Sequence, residues 1–451
     1  MCRGVVSILA LLLLTVLSTL IISFAQLTGL SLRMGNNFRR TVDARLATES
    51  GMAFTIYQLR RVRLPADTTE ATLAANLTTA LGSRLDGTAN LGGAAVTNTG
   101  SEVYVPPIPL DAGSTFCCWI LPVGTDLCRL KVKGSAGGVD RYLTIDLAVT
   151  PRLPSVFNYG LASGGPVLLS GASKIVGVND PAEASVFAAV PAGGEAISIG
   201  GNGVTVSGDL FVSGEDGSVA ITGSPSIGGS TDPATVAEHI HFGVEAPEFP
   251  ELDVAPLAAL ATNVVDGSTD TVSPGQTFTN IRIAAGTDPS FGSDTVINGV
   301  VYVEAPNLVS FTGHAQINGM IVTEDKGLPI EQCQLSFAGT VEAAGVEALP
   351  DTEEFALVKQ HTGTFVLAPG FGATFAGNFS TVSGTIAADQ LTFSGTSEGV
   401  IRGSVIGLSG LPTQMAGKVE IYVDRVKADP NPAGFVKSLA LEPVADSYSE
   451  Q

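Results

Sequence analysis

Read only for apolar and polar positions, the chain changes texture three times. Residues 4–32 carry no charge and are dominated by Leu, Val, Ile, Ser and Thr, a run of 29 positions. Roughly 20 such residues cross about 30 Å of hydrocarbon as a helix. No proline precedes Pro65, so one helix is predicted from about Val5 to Arg63. At the rise of an α-helix that is a rod of about 90 Å, too long to lie wholly in a bilayer. From residue 33 the pattern turns amphipathic, with Val42, Leu46, Ala53 and Ile56 on one face and Glu49 among them. Arg45, one turn earlier, is the natural partner of that carboxylate, in a packed subunit contact or in an exposed i, i+4 pair. Gly51 costs about 1 kcal/mol inside a helix relative to Ala, which predicts close packing against another element.

Past Pro65 the pattern predicts a shorter helix over 66–83, with Leu73, Leu77 and Leu81 on one side. Strands follow. Phe116–Leu121 reads as one, and Leu127–Lys133 and Tyr142–Val149 alternate apolar and polar residues around a GSAGG turn. This is a long helix on a small antiparallel sheet, ending near Pro151–Pro154. From Val156 to Val426, short apolar strands alternate with Gly, Ser, Asn and Thr, and one phrase recurs. It begins at Val206, Ile297, Ile317 and Val382, each followed by Ser-Gly or Asn-Gly. Ile297 to Ile317 is 20 residues, about one rung of a solenoid.

The fold class expected is therefore α+β followed by all-β, the second part a parallel, right-handed β-helix, with a β-sandwich as the alternative. The expected divisions are a leader at 1–4, a membrane or pilin-like helix at 5–64 and a small α+β domain at 65–154. A β-helix follows at 155–427, then a loosely held polar tail at 428–451. Two stretches, 230–262 and 345–360, interrupt the ladder.

Charge sharpens the picture. Residues 1–64 hold eight Lys/Arg against Asp43 and Glu49, a net +6, while the remainder holds 15 against 41, a net −26. So acidic a body argues against nucleic acid, which needs a basic footprint. Of five cysteines, Cys2 lies in the leader, Cys117, Cys118 and Cys128 cluster, and Cys333 stands alone. Adjacent cysteines are poor joint zinc ligands. In an exported body the expectation is a disulfide from Cys128 to Cys117 or Cys118, with buried free thiols as the alternative.

The leader MCRG, the apolar VVSILALLLLTVLSTLIISFAQ and the segment RRTVDARLATESGMAF resemble the N-terminus of minor pilin-like proteins of the PilX family. The tip subunits of type II secretion pseudopili share the feature. The A-x-E-S-G element is Ala47-Thr48-Glu49-Ser50-Gly51, and Leu9 stands where major pilins carry Glu. The FNYGLASGGPVLLSGASKIVG stretch resembles the Gly-rich domain that accompanies such N-termini. The resemblance implies cleavage by a prepilin peptidase between Gly4 and Val5, and a helix that packs with other pilin or pseudopilin subunits. It also implies a body held in the periplasm or on the cell surface from the bacterial inner membrane. A count of flanking arginines pulls the other way. Arg33, Arg39, Arg40 and Arg45 follow the span, and the positive-inside tendency would keep that side cytoplasmic.

Candidate chemistry is sparse. His239 and His241 form H-x-H near Glu238, Glu245 and Glu248, but no third metal ligand stands at recognisable spacing. The SGEDGS turn is an acidic loop of a kind that holds calcium or only water. β-Helix enzymes that cut polysaccharides need clustered carboxylates with nearby cations, whereas eight Lys/Arg are scattered over 160–430 and Asp209 and Asp389 show no partner. No catalytic residue, cofactor or metal is assigned, and the expectation is a non-enzymatic filament subunit for assembly, tip display or adhesion. The alternatives are a signal-anchored envelope protein whose β-helix binds glycan or protein and, third, a solenoid enzyme.

Overall fold

The computed structural model describes the backbone of residues 3–450 except 111–112, 191–193, 215 and 380, and side chains from Leu11 onward with the same exceptions. Its contacts divide the chain into two units, Met1–Arg152 with Lys437–Gln451, and Leu153–Val436.

The first unit is built on one helix, α1 (Arg3–Arg60). Its first half is apolar all round and solvent-facing, including Leu11, Leu14, Ile21 and Phe24. The helix is long and apolar enough to cross a membrane. Its second half lies on an antiparallel sheet of β1 (Val103–Pro109), β2 (Ser114–Pro122), β3 (Leu127–Ala136) and β4 (Val139–Arg152). The β3–β4 hairpin closes over Gly137 and Gly138, at φ of 55° and 85°, as a two-residue turn of the strands' own twist requires. A second helix, α2 (Glu70–Leu85), adds Leu73, Leu77, Leu81 and Leu85 to the same core.

β1 contains Pro106, Pro107 and Pro109, residues unfavourable inside a sheet. It is tolerated near the sheet's edge, with an irregularity between Val105 and Ile108. The expected tail is no tail: Ser438–Pro443 pairs antiparallel with β4, and Leu64 pairs with Leu439. Its alternation puts Leu439 and Leu441 against the core of the first unit, so a polar-looking end still closes a sheet. The buried face of α1 also differs from the predicted one. It is made of Ala44, Ala47, Thr48, Gly51, Met52, Thr55 and Leu59, whereas Val42 and Leu46 are 39% and 55% exposed. The reason is steric. At Gly134 of β3 a Cβ would collide with Ala44 O and Thr48 N, so only small residues fit where helix and sheet approach. Helix and sheet share one core, so residue 65 is not a physical boundary.

The second unit is a parallel β-solenoid of about 12 turns. One column of strands is ordered by its hydrogen-bonded registers. It starts at Asn263–Val265 and climbs through Thr277–Ile283, Thr295–Val303, Ala315–Thr323, Thr364–Phe375, Thr385–Gly395 and Val405–Gly407. Val405–Gly407 then pairs with Leu161–Ser163, which begins the unit, and the column ends at Val186–Ala188, Leu210–Val212 and Ile240–His241. The stack is thus permuted: rungs early in sequence sit on rungs late in sequence, and Lys174 Nζ meets Glu420 at 3.0 Å across that junction. The chain enters and leaves the solenoid in the middle of its height.

Permutation explains the first interruption. Ile240–His241 and Asn263–Val265 lie at opposite ends of the column, so residues 242–262 return along its side, and eleven strands at ~4.8 Å make about 48 Å to cover. Phe249, Leu252, Val254, Leu257 and Leu260 pack there on outward residues such as Val300, Met320, Leu367 and Ile406. The second interruption adds Val346, Leu349, Phe355 and Val358 to the same layer. Strands buried on both faces read as continuous apolar runs, as in Val300–Val303. Inside, Phe291, Phe311, Phe337, Phe375 and Phe393 occupy matching positions on successive rungs. Their rings stack at 5.1, 5.0, 4.7 and 5.0 Å.

Candidate functional site

The feature that sets this chain apart is α1 and the surface it leaves open. Packing on the sheet consumes only its small-residue side. Val42, Leu46, Arg45 and Glu49 remain outward, and Arg45 Nε bonds Glu49 Oε1 at 2.9 Å with side chains 58% and 43% exposed. The hydrogen bond to Glu49 shifts the Arg45 guanidinium further above its ordinary range, with Glu450 of the C-terminal strand adding to it. Gly51 faces inward instead, where a Cβ would come within 2.5 Å of the Phe116 ring. Beside Leu46 a polar groove of about 580 Å³ runs between the helix and the tips of β2 and β3, with Arg39, Arg40 and Asp43 on its walls. Gly4 lies in the helical backbone, but the side chains of residues 1–10, including Val5, are outside the described residues, as is all of Cys2.

The cysteine expectation is corrected. Register puts Cys118 opposite Val132 and Cys128 opposite Pro122, about 13 Å further along the strand, against a Cα separation limit of about 7 Å for a disulfide. Cys117 is further still and faces away from Cys118, since neighbours on a strand point to opposite sides. All three are free and buried, and burial pushes the thiols of Cys118 and Cys128 up to about 12.

The histidine pair does meet a third group. His239 Nδ1 lies 2.7 Å from Asp209 Oδ1, and His241 Nε2 lies 3.0 Å from Asp209 Oδ2. His241 also stacks on Phe211 at 4.8 Å. Desolvation pushes the Asp209 carboxyl up, but the two imidazole hydrogen bonds outweigh it and hold it below the usual carboxylate range. Asp209 is invisible as a partner in sequence because it sits one rung below, 30 residues away. Among the described residues no set of three groups has the geometry to hold a metal ion. This trio joins the last strand of the column to the rung beneath it.

The repeat that carries the inner stack was missed in sequence. It is Ser or Thr followed by Phe, at Ser290, Ser310, Ser336, Thr374 and Thr392. Its irregular spacing hides it, because insertions between rungs break any fixed period.

Taken together, these features define a class: a helix-on-sheet unit with an apolar helical extension, whose sheet carries a solenoid inserted between two paired strands. No family model and no curated protein matches the chain. Among solved structures, the crystal structure of the competence-associated pilin ComZ from Thermus thermophilus matches over 91% of this chain and 97% of that one, at 13% identity. Its TM-score of 0.28 is too low to carry a structural argument.

Proposed function

We propose that this protein is a structural subunit of a type IV pilus or a related secretion filament, a minor pilin-like or pseudopilin-like protein. One observation carries the reading: a single unbroken helix is apolar and unpacked in its first half, and in its second half is seated on a sheet by one side only. An apolar rod that is not needed for its own domain's core has surface to give to a membrane and then to neighbouring helices. The PilX-like element at residues 47–51 supports the same reading. In it, a prepilin peptidase processes the chain between Gly4 and Val5, the helix resides in the inner membrane before assembly, and the solenoid is displayed outside for tip display or adhesion. The body has no reaction of its own. Two of the carboxylates on its outward layer are tied into the scaffold: Glu304 pairs with Arg282 at 2.9 Å, and Glu324 with Lys326 at 2.7 Å.

The outward Arg45–Glu49 pair is the point to test. An exposed pair of this kind adds little to the stability of its own domain. Glu49→Ala is expected to leave the melting temperature of the subunit unchanged while filament yield, or incorporation of this subunit, falls severalfold. Normal filaments from that variant would refute the role assigned to Glu49.

A further inference from the structure

The unit-1 sheet has a second face, away from α1, that its own core does not use. On the inner side Val103, Val105, Cys118, Ile120, Leu130 and Val132 fill the interior. The alternating residues point outward, and one cross-strand row reads Tyr104, Trp119, Lys131, Thr144 and Ser449. Tyr104 and Trp119 are half-exposed, with ring centroids 5.4 Å apart and planes 33° from parallel. Lys131 Nζ lies 4.8 Å from the ring centre of Tyr142 in the adjacent row. The cations flanking Lys131 on its own strand are neutralised: Arg129 meets Asp146 at 2.7 Å, and Lys133 meets Asp140 at 2.8 Å. Among the described residues Lys131 makes no ion pair, so it is an uncompensated cation beside the aromatic pair.

We infer that this face binds an acidic oligosaccharide, with pyranose rings laid on Trp119 and Tyr104 and a sugar carboxylate on Lys131. The physical reasons are three. The CH-lined face of a pyranose matches the flat, partly apolar surface of an indole beside a phenol, which keep polar edges for hydroxyl groups. The row crosses successive strands at ~4.8 Å each, giving a straight track for a chain of rings. A single free ammonium suits one carboxylate at a time. A polyphosphate would need several cations, yet this face also carries Asp140, Asp146 and Glu442, and the protein has a net charge of −20. A nucleic acid is therefore the disfavoured ligand. The site is separate from the outward face of α1 and does not depend on filament assembly.

Trp119 is the single tryptophan of the chain, so its emission reports this face alone. Full-length protein in detergent micelles would be titrated with an oligogalacturonate, a neutral cello-oligosaccharide and an oligothymidylate. The expected result is a saturable change in Trp119 emission, tightest for oligogalacturonate. Lys131→Ala is expected to weaken the acidic sugar about tenfold, bringing it level with the neutral one, and Tyr104→Ala to weaken both sugars about tenfold. Tyr104→Leu, which keeps apolar cover on the strand, serves if the alanine variant melts early, with the same loss expected. No saturable change with either sugar would overturn the inference. So would tighter binding of the oligothymidylate, or variants that bind as the parent does.

Discussion

Single residues decide how closely α1 sits on its sheet. Gly134 is the tightest point, since any side chain there meets the helix backbone at Ala44 and Thr48. Gly134→Ala is expected to destabilise the first unit by about 1–3 kcal/mol through overpacking, read as a lower denaturation midpoint. Gly35, with nothing within 4 Å of its Cβ position, is the control. There Ala should gain up to about 1 kcal/mol of helix propensity and lose nothing. Asp209 makes a different residue-scale prediction. Its folded carboxyl lies below the ordinary value, so its contribution to stability is present above the unfolded pKa of about 3.9 and is lost as pH falls through the folded value. The stability difference between the parent and Asp209→Asn should be clear at pH 5 and shrink steadily in stronger acid, as followed by denaturant titration.

At the scale of elements, the sequence was most legible where one face of a pattern met one environment. The run of uncharged residues, the Leu73–Leu77–Leu81 stripe and the alternation of β3 each have a single explanation. The Ile297 and Ile317 phrases lie directly over one another, with Asn298 bonded to Asn318 at 2.8 Å. Legibility failed where a partner came from far along the chain. Val42 and Leu46 form the stronger apolar stripe, but helix–sheet distance, which no local pattern encodes, selects the small residues instead. The strand at Ser438–Pro443 looks like a tail because its partner, β4, is nearly 300 residues away in sequence. That strand also makes a prediction. Arg152 and Ser438 are paired neighbours, so the whole insertion closes a hairpin. Replacing residues 153–437 by Asn-Gly, with its preference for two-residue hairpin turns, should leave the first unit folded. Its circular dichroism should show a cooperative melt; an unfolded product would mean that this sheet needs the solenoid.

For the whole molecule, two units divide two kinds of work. One holds an apolar helix to a sheet and leaves most of that helix uncovered. The other is an acidic solenoid whose ends are used up internally: its first and last rungs pair with each other at mid-height, and the returning segment 242–262 covers its apolar side. Attachment by two chain segments at one hairpin lets a large body be carried without cutting the helix-bearing unit's sheet order. On the proposed function the helix is a filament helix and not merely an anchor. That role is tested most directly by the mass of the mature N-terminal peptide of protein isolated from its native host. A filament helix should give a peptide that begins at Val5 with a methylated amine, the product of a prepilin peptidase acting after Gly4. A peptide that retains Met1 or begins at Cys2 would contradict it and leave a membrane-anchored solenoid outside any filament.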